Sequence, residues 1–166
     1  MTASVLHELF RHKTWATLKL IEFCQSLPAE HLEATLPGTY GSVRATLAHL
    51  ANAESNYYAG LTQQPRPEPI DRGAELEVIA ERIRALAPGW EALLDDPAVP
   101  DLEISGRLGT TRGVVLLAQA IHHADDHRTQ VLSILGARGI QLPELDLWGY
   151  GKQAGLTQPP QPAAPA

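Results

Sequence analysis

The sequence has few of the features that mark secreted, membrane-spanning or nucleic-acid-binding proteins. Its one cysteine, Cys24, cannot form an intramolecular disulfide, so nothing requires an oxidising compartment. Only 13 Lys and Arg stand against 19 Asp and Glu, which leaves no basic footprint for a phosphate backbone. The longest strongly apolar stretch, residues 113–121, is too short to cross a bilayer, and the charged N-terminal segment is unlike a signal peptide. We therefore expect a cytoplasmic protein that binds neither nucleic acid nor membrane.

Length and composition predict a single all-α domain. The 166 residues are 44% apolar and 19% charged, which is ordinary for a globular protein with one core. Apolar residues recur at helical spacing in four segments, over about residues 2–27, 42–61, 73–95 and 110–137. We expect these helices to form a four-helix up-down bundle with short connectors over residues 1–151. Residues 152–166, rich in Pro, Ala and Gln, are expected to be a flexible tail.

Local signals predict where these helices begin and how they are linked. Ser42 has the side chain and the position of an N-cap, and Thr110 or Thr111 is expected to cap the fourth helix. Pro88 and the glycine after it lie inside the third helix and are expected to kink or shorten it. The alternation of apolar and polar residues over 102–104 is compatible with a short strand.

Two of the seven histidines lie on the apolar stripe of the fourth predicted helix. His123 and His127 are four residues apart, so they share one helix face. Both are polar, whereas the rest of that face is apolar: Leu116, Ala120, Val131 and Ile134. Two buried neutral imidazoles each need a partner, and one divalent metal bound from consecutive turns satisfies both. A hydrogen-bonded core without metal is the alternative.

His49, on the second predicted helix, is the candidate third ligand. Its neighbours on that face are small, and metal sites in bundles are built from facing helices. Three neutral histidines leave open coordination positions, as in catalytic metal sites. Zn, Ni, Fe and Mn all accept imidazole ligands, so the cofactor predicted is a divalent transition metal of this group. The remaining histidines are expected to be surface or structural residues: His7, His12, His31 and His122.

The sequence lacks the motifs of several other chemistries. Ala124 follows His123 where a zincin has its catalytic Glu, and no histidine has the Glu three residues before it that a di-iron bundle requires. Phosphate-binding loops and the nucleophile elbow of hydrolases are absent. Asp126 and Arg128 lie on either side of His127 in the sequence, and we expect solvent-facing charges there, with a supporting or substrate-binding role as the alternative. Cys24 is expected to be a buried hydrophobe rather than a reactive thiol.

Several short segments carry a family resemblance through their order and spacing. They are residues 37–42 (PGTYGS), 45–50 (ATLAHL), 123–130 (HADDHRTQ) and 143–148 (PELDLW), with the Trp15-Ala16 pair of the first helix. With these segments the chain resembles the DinB-like (DinB/YfiT) family from about Leu6 to Tyr150. The resemblance implies a four-helix bundle, often dimeric, with a divalent metal held by three histidines. In this sequence those positions are His49, His123 and His127.

The resemblance leaves three functional alternatives. Some relatives are S-transferases that use a bacterial low-molecular-weight thiol, which implies a metal-dependent thiol S-transferase or hydrolase acting on small electrophiles. Others are known as stress-induced or DNA-damage-induced proteins, which implies a metal-binding protein without catalysis. A purely structural bundle without metal is the third alternative. We expect a homodimer, because short helices leave an apolar face exposed, and no catalytic residue is assigned.

Overall fold

Helices make up most of the structure, and a short hairpin interrupts them. A computed structural model describes residues 4–106 and 109–158. The helices there are α1 Val5–Gln25, α2 Ala29–Leu32, α3 Val43–Thr62, α4 Leu76–Asp95, α5 Gly113–Gly136 and α6 Leu147–Gln153. A 3-10 helix, Val99–Asp101, and the antiparallel strands β1 Glu103–Gly106 and β2 Gly109–Arg112 connect α4 to α5. The mainly helical fold is confirmed.

Two further predictions concern the C-terminal part of the chain. The boundary between bundle and tail after residue 151 stays a prediction, and α6 runs to Gln153. The end of the predicted tail, residues 159–166, lies outside the described residues.

Among the helices of the described ranges, none combines the length and the apolar character that a bilayer crossing needs.

The four long helices enclose the hydrophobic core. α3 packs against both α4 and α5, and α1 packs against the same two helices. Burial of a large apolar side chain contributes about 1.5–3 kcal/mol, so the apolar stripes of these helices dominate the stability of the fold. The largest apolar side chains that are almost fully buried are Trp90, Phe10, Leu20, Ile21, Leu47, Leu50, Ile79, Ile83, Ile134 and Leu135.

Contacts at both ends show that α1 and α4 run antiparallel. Near the start of α1, the Arg11 guanidinium donates to the Glu91 carboxylate near the end of α4, with an Nη2–Oε2 distance of 2.8 Å. At the opposite end, the Gln25 amide donates to the Glu77 carboxylate at 2.9 Å. The first turn of one helix therefore meets the last turn of the other.

By contrast, α3 and α4 run parallel, so the predicted strict up-down alternation is not confirmed. Arg44 at the start of α3 donates to the carbonyl of Ala74, just before α4, at 3.1 Å. Further along, the rings of Tyr58 and Trp90 meet with centroids 5.3 Å apart. The linker over residues 63–75 allows this, because an extended chain of that length spans roughly 40 Å. A helix of 20 residues is only about 30 Å long.

The helix starts follow side-chain capping only in part. Ser42 is confirmed as the N-cap of α3, since its Oγ accepts a hydrogen bond from the backbone N–H of Ala45 at 3.2 Å. Of the two effects predicted for Pro88 and Gly89, a shortened helix is not observed, because α4 continues to Asp95, and a kink stays a prediction. Gly89, which follows Pro88, has no side chain, and the Tyr58 side chain fills the space that a Cβ there would occupy.

The start of α5 is determined by the hairpin and not by a threonine cap. Thr110 and Thr111 lie in β2 and pair with β1, so their prediction as capping residues is wrong. The residue before α5 is Arg112, whose side chain makes no capping hydrogen bond. Residues 102–104 are compatible with a short strand, and the structure has β1 at Glu103–Gly106.

A buried cluster of polar and charged residues joins the four long helices. The Lys13 ammonium of α1 donates to Glu54 Oε1 of α3, and Trp90 Nε1 of α4 donates to the same oxygen at 2.8 Å. Arg128 of α5 donates to the Lys13 carbonyl at 3.3 Å and to Thr17 Oγ1 at 3.1 Å. Each of these five side chains is at most 4% exposed. The predicted solvent-facing position of Arg128 is therefore wrong, because its guanidinium holds α5 against α1.

Removal of one member of the buried ion pair is expected to destabilise the fold strongly. Glu54→Leu leaves the ammonium of Lys13 buried without an anion, and we expect the free energy of unfolding to fall by about 3–5 kcal/mol. In the double variant Lys13→Met/Glu54→Leu no charge of the pair remains, so most of that loss should be recovered. Urea unfolding followed by circular dichroism measures the free energy of unfolding of both variants.

A surface ion pair provides the control for this comparison. Glu22→Gln removes an exposed partner of Lys19, and its effect on the free energy of unfolding should be small. The single variant Lys13→Met completes the comparison. A double variant that loses as much stability as Lys13→Met and Glu54→Leu together would contradict the ion-pair account, because it would show no coupling between Lys13 and Glu54.

Candidate metal centre

Three histidines from two helices converge on one point. Nε2 of His123 lies 3.1 Å from Nε2 of His49 and 3.1 Å from Nε2 of His127. One ring nitrogen from each residue lies within 4.8 Å of the other two. Nitrogens bonded to one ion at about 2.1 Å are separated by about 3.0 Å at right angles and about 3.4 Å at the tetrahedral angle. The two separations from His123 fall in this range, and the three residues together form a cluster that could hold one divalent ion.

The pairing of α3 with α5 brings these side chains together. His123 and His127 are one turn apart on α5, and α3 packs along the same face. Small buried residues beside the histidines, Ala48 on α3 and Ala124 on α5, let the two backbones approach closely. His49 can then reach the α5 pair from the opposite helix.

The electrostatic environment keeps the three imidazoles neutral. Burial, reinforced by the neighbouring His127, lowers the pKa of His123 to about 4. Burial is also the main cause that lowers the pKa of His49, and the electrostatic influence of the neighbouring His127 and Arg72 lowers it further. Burial lowers the pKa of His127 as well. Neutral imidazole is the form that binds a metal, so all three ring nitrogens are available at pH 7.

Two tyrosines pack against the histidine cluster. The Tyr40 ring stacks on His49, with centroids 3.9 Å apart and planes inclined by 18°, and meets the edge of His127 at 5.6 Å. On another side, Tyr57 meets His123 at 5.7 Å. The sequence held a signal for Tyr57, because it lies eight residues after His49 and therefore on the same face of α3.

Arg72 also lies at this site, and no pattern in the sequence placed it there. Its Nη2 donates to the Tyr40 hydroxyl at 2.5 Å, and its Cζ lies 5.0 Å from the centre of the Tyr40 ring. The residue belongs to the linker between α3 and α4, where periodicity gives no information about position.

The other residues singled out in the sequence lie outside the histidine cluster. Asp126 is exposed, as expected, and lies 3.5 Å from His122. Cys24 is buried, as expected, and burial raises the pKa of its thiol to about 12, which makes it unreactive. The remaining histidines contact other groups: His7 meets Asp95, His12 meets the Leu145 carbonyl, and His31 meets Arg138.

Known proteins share both the sequence features and the fold. The sequence pattern of the DinB family matches residues 1–161. The fold is similar to the crystal structure of a DinB-like protein from Bacillus cereus, with a TM-score of 0.62 and 18% identity, over 81% of this chain and 91% of that one. At this identity the structural similarity concerns the fold alone. No curated protein matches the sequence.

The lowered pKa of His123 predicts a pH dependence of the metal-free protein. The pKa of His123 is 6.5 in the unfolded chain and about 4 in the folded one. Between these two pH values, the unfolded chain binds a proton at His123 and the folded chain does not. The contribution of His123 to stability is therefore present above pH 6.5 and is lost as the pH falls towards 4. With a chelator present, the unfolding free energy of wild type minus that of His123→Gln should be larger at pH 7 than at pH 4.5.

The control for this measurement is His122→Gln, which alters the adjacent histidine, whose side chain is 71% exposed. Its difference from wild type should change much less over the same range. An equal difference at both pH values for His123→Gln would contradict the account, because it would mean that folding leaves the affinity of His123 for protons unchanged.

Proposed function

Because this chain belongs to the DinB family, we propose that it is a metal-dependent thiol S-transferase. His49, His123 and His127 would hold one divalent transition metal, of the group Zn, Ni, Fe and Mn. The observation that supports the proposal best is the pair of 3.1 Å separations between their Nε2 atoms. Three nitrogen ligands leave coordination positions for a further molecule, as in catalytic sites.

A bound ion is favoured over a purely hydrogen-bonded cluster by the number of nitrogens that converge. Nε2 of His123 faces both Nε2 of His49 and Nε2 of His127. A neutral imidazole nitrogen either donates one hydrogen or accepts with one lone pair, so this atom cannot satisfy two such neighbours equally. One cation accepts a lone pair from all three atoms, and neutral rings release no proton when it binds.

The reaction proposed is the transfer of a small thiol to an electrophilic carbon. When bound, a divalent metal supplies Lewis acidity, which lowers the pKa of a thiol at this site. The three histidines stay neutral and keep their lone pairs directed at the centre, while Tyr40 and Tyr57 restrict its sides. With an alkyl or aryl halide, sulfur bonds to carbon, the halide leaves with the bonding electrons, and the thiol proton passes to solvent.

The test combines metal content with turnover in matched variants. Protein purified without a histidine tag is analysed for metal, loaded, and incubated with low-molecular-weight thiols and 1-chloro-2,4-dinitrobenzene. We expect about one ion per chain in wild type and in His122→Ala, whose side chain is exposed. His123→Ala should lose the ion and the thiol transfer together, since the central ligand of the cluster is gone.

The other outcomes identify the alternatives. Wild type could bind one ion per chain and still consume thiol no faster than His123→Ala does. If this held for every thiol tested, and for epoxide and alkene electrophiles too, it would contradict transferase activity. The protein would then be a non-catalytic metal-binding member of the family, in keeping with a stress-response role. Absence of metal after loading would favour a structural bundle. A homodimer stays a prediction, which sedimentation measures.

A further inference from the structure

The linker that carries Arg72 is anchored beside the histidine cluster. The Asn52 side chain, one turn after His49 on α3, bonds the backbone of Ile70 twice: its amide donates to the carbonyl at 2.9 Å, and its oxygen accepts from the N–H at 2.8 Å. Ile70 is only 8% exposed. On the other side of Arg72, the Asp71 carboxylate accepts from the N–H of Gly73 at 2.7 Å. The helix that supplies a histidine therefore also determines where Arg72 lies.

Tyr40 connects Arg72 to the histidines and is itself held in place. The backbone N–H of Tyr40 donates to the side-chain oxygen of Gln130 on α5 at 2.8 Å, so the loop before α3 is tied to the helix that carries His127. One face of the phenol ring stacks on His49, while its hydroxyl accepts from Arg72. The guanidinium is thus held one side chain away from His49.

The charge of Arg72 has no acidic partner within the described ranges. Its hydrogen bond there is to the Tyr40 hydroxyl, whereas Arg11, Arg84 and Arg128 each pair with a carboxylate. A guanidinium has five N–H donors in a fixed plane, and the hydroxyl occupies only one. The others can bind a carboxylate in bidentate fashion, which is the strongest neutralisation available to an arginine.

We propose that Arg72 is a specificity-determining residue that binds a carboxylate of the thiol cosubstrate. The inference rests on the proposed thiol transfer. It assigns the carboxylate to the thiol and not to the electrophile because the sulfur must reach the centre of the three histidines. Groups a few bonds from that sulfur then lie in the layer around the histidines, where Tyr40 and Arg72 are. Tyr40 acts as a positioning residue for the guanidinium.

Two thiols that differ in one group test this directly. N-acetylcysteine and N-acetylcysteamine present the same sulfur and amide, but only the first has a carboxylate. Their dissociation constants from the cobalt-loaded protein are measured by titration of the sulfur-to-cobalt absorption band, which needs no turnover. We expect wild type to bind N-acetylcysteine about tenfold more tightly, the effect of one charge-assisted interaction at a solvent-accessible site.

Variants in the same linker separate this role from general charge effects. Arg72→Gln should bind both thiols with equal affinity, whereas Arg66→Gln, which removes the same charge from an exposed position of that linker, should keep the preference. Tyr40→Phe retains the ring but loses the hydroxyl that Arg72 contacts, so its preference should be smaller than that of wild type.

The possible failures are distinguishable. Equal affinity of wild type for the two thiols, or a preference that Arg72→Gln retains, would overturn the role of Arg72 and leave thiol transfer intact. Absence of any thiol-dependent band with either probe would overturn both proposals. If Arg66→Gln and Arg72→Gln lost the preference equally, the role of Arg72 would also be overturned, since long-range charge would then suffice to explain the preference.

Discussion

The convergence of three neutral imidazoles on one point is the constraint on which the site depends. His49 comes from α3, and His123 and His127 come from consecutive turns of α5. Their Nε2 atoms approach to 3.1 Å only while these two helices keep their register and close spacing. The same burial that brings the rings together lowers the pKa of His123 to about 4 and so preserves the lone pairs that a metal needs.

A second set of polar contacts keeps α5 in that register. Arg128 directly follows His127 but points away from it, to the Lys13 carbonyl and Thr17 on α1. Lys13 in turn pairs with Glu54 of α3. Buried charges of this kind add little net stability compared with apolar residues, but a single misplaced partner is costly. They therefore penalise rotations of α5 that would carry the histidines away from α3.

The sequence predicts His123 and His127 from local information, whereas the assignment of His49 as third ligand draws also on the resemblance to the DinB family. Residues four apart on an apolar stripe identify His123 and His127 on one face, and the small neighbours of His49 allow α3 to approach. The position of Arg72 depends instead on a hydrogen bond between Asn52 and the linker backbone, which no periodicity encodes. The parallel direction of α3 and α4 escapes prediction for a similar reason, since it depends on how a long linker crosses the bundle. A threonine cap for α5 fails because strand pairing competes for the same residues.

The most direct measurement of the central claim is an anomalous difference map from crystals of the zinc-loaded protein, recorded at the metal absorption edge. The account predicts one peak per chain, about 2.0–2.1 Å from Nε2 of His49, His123 and His127. A peak bonded to fewer than three of these nitrogens, or located elsewhere on the protein, would contradict it.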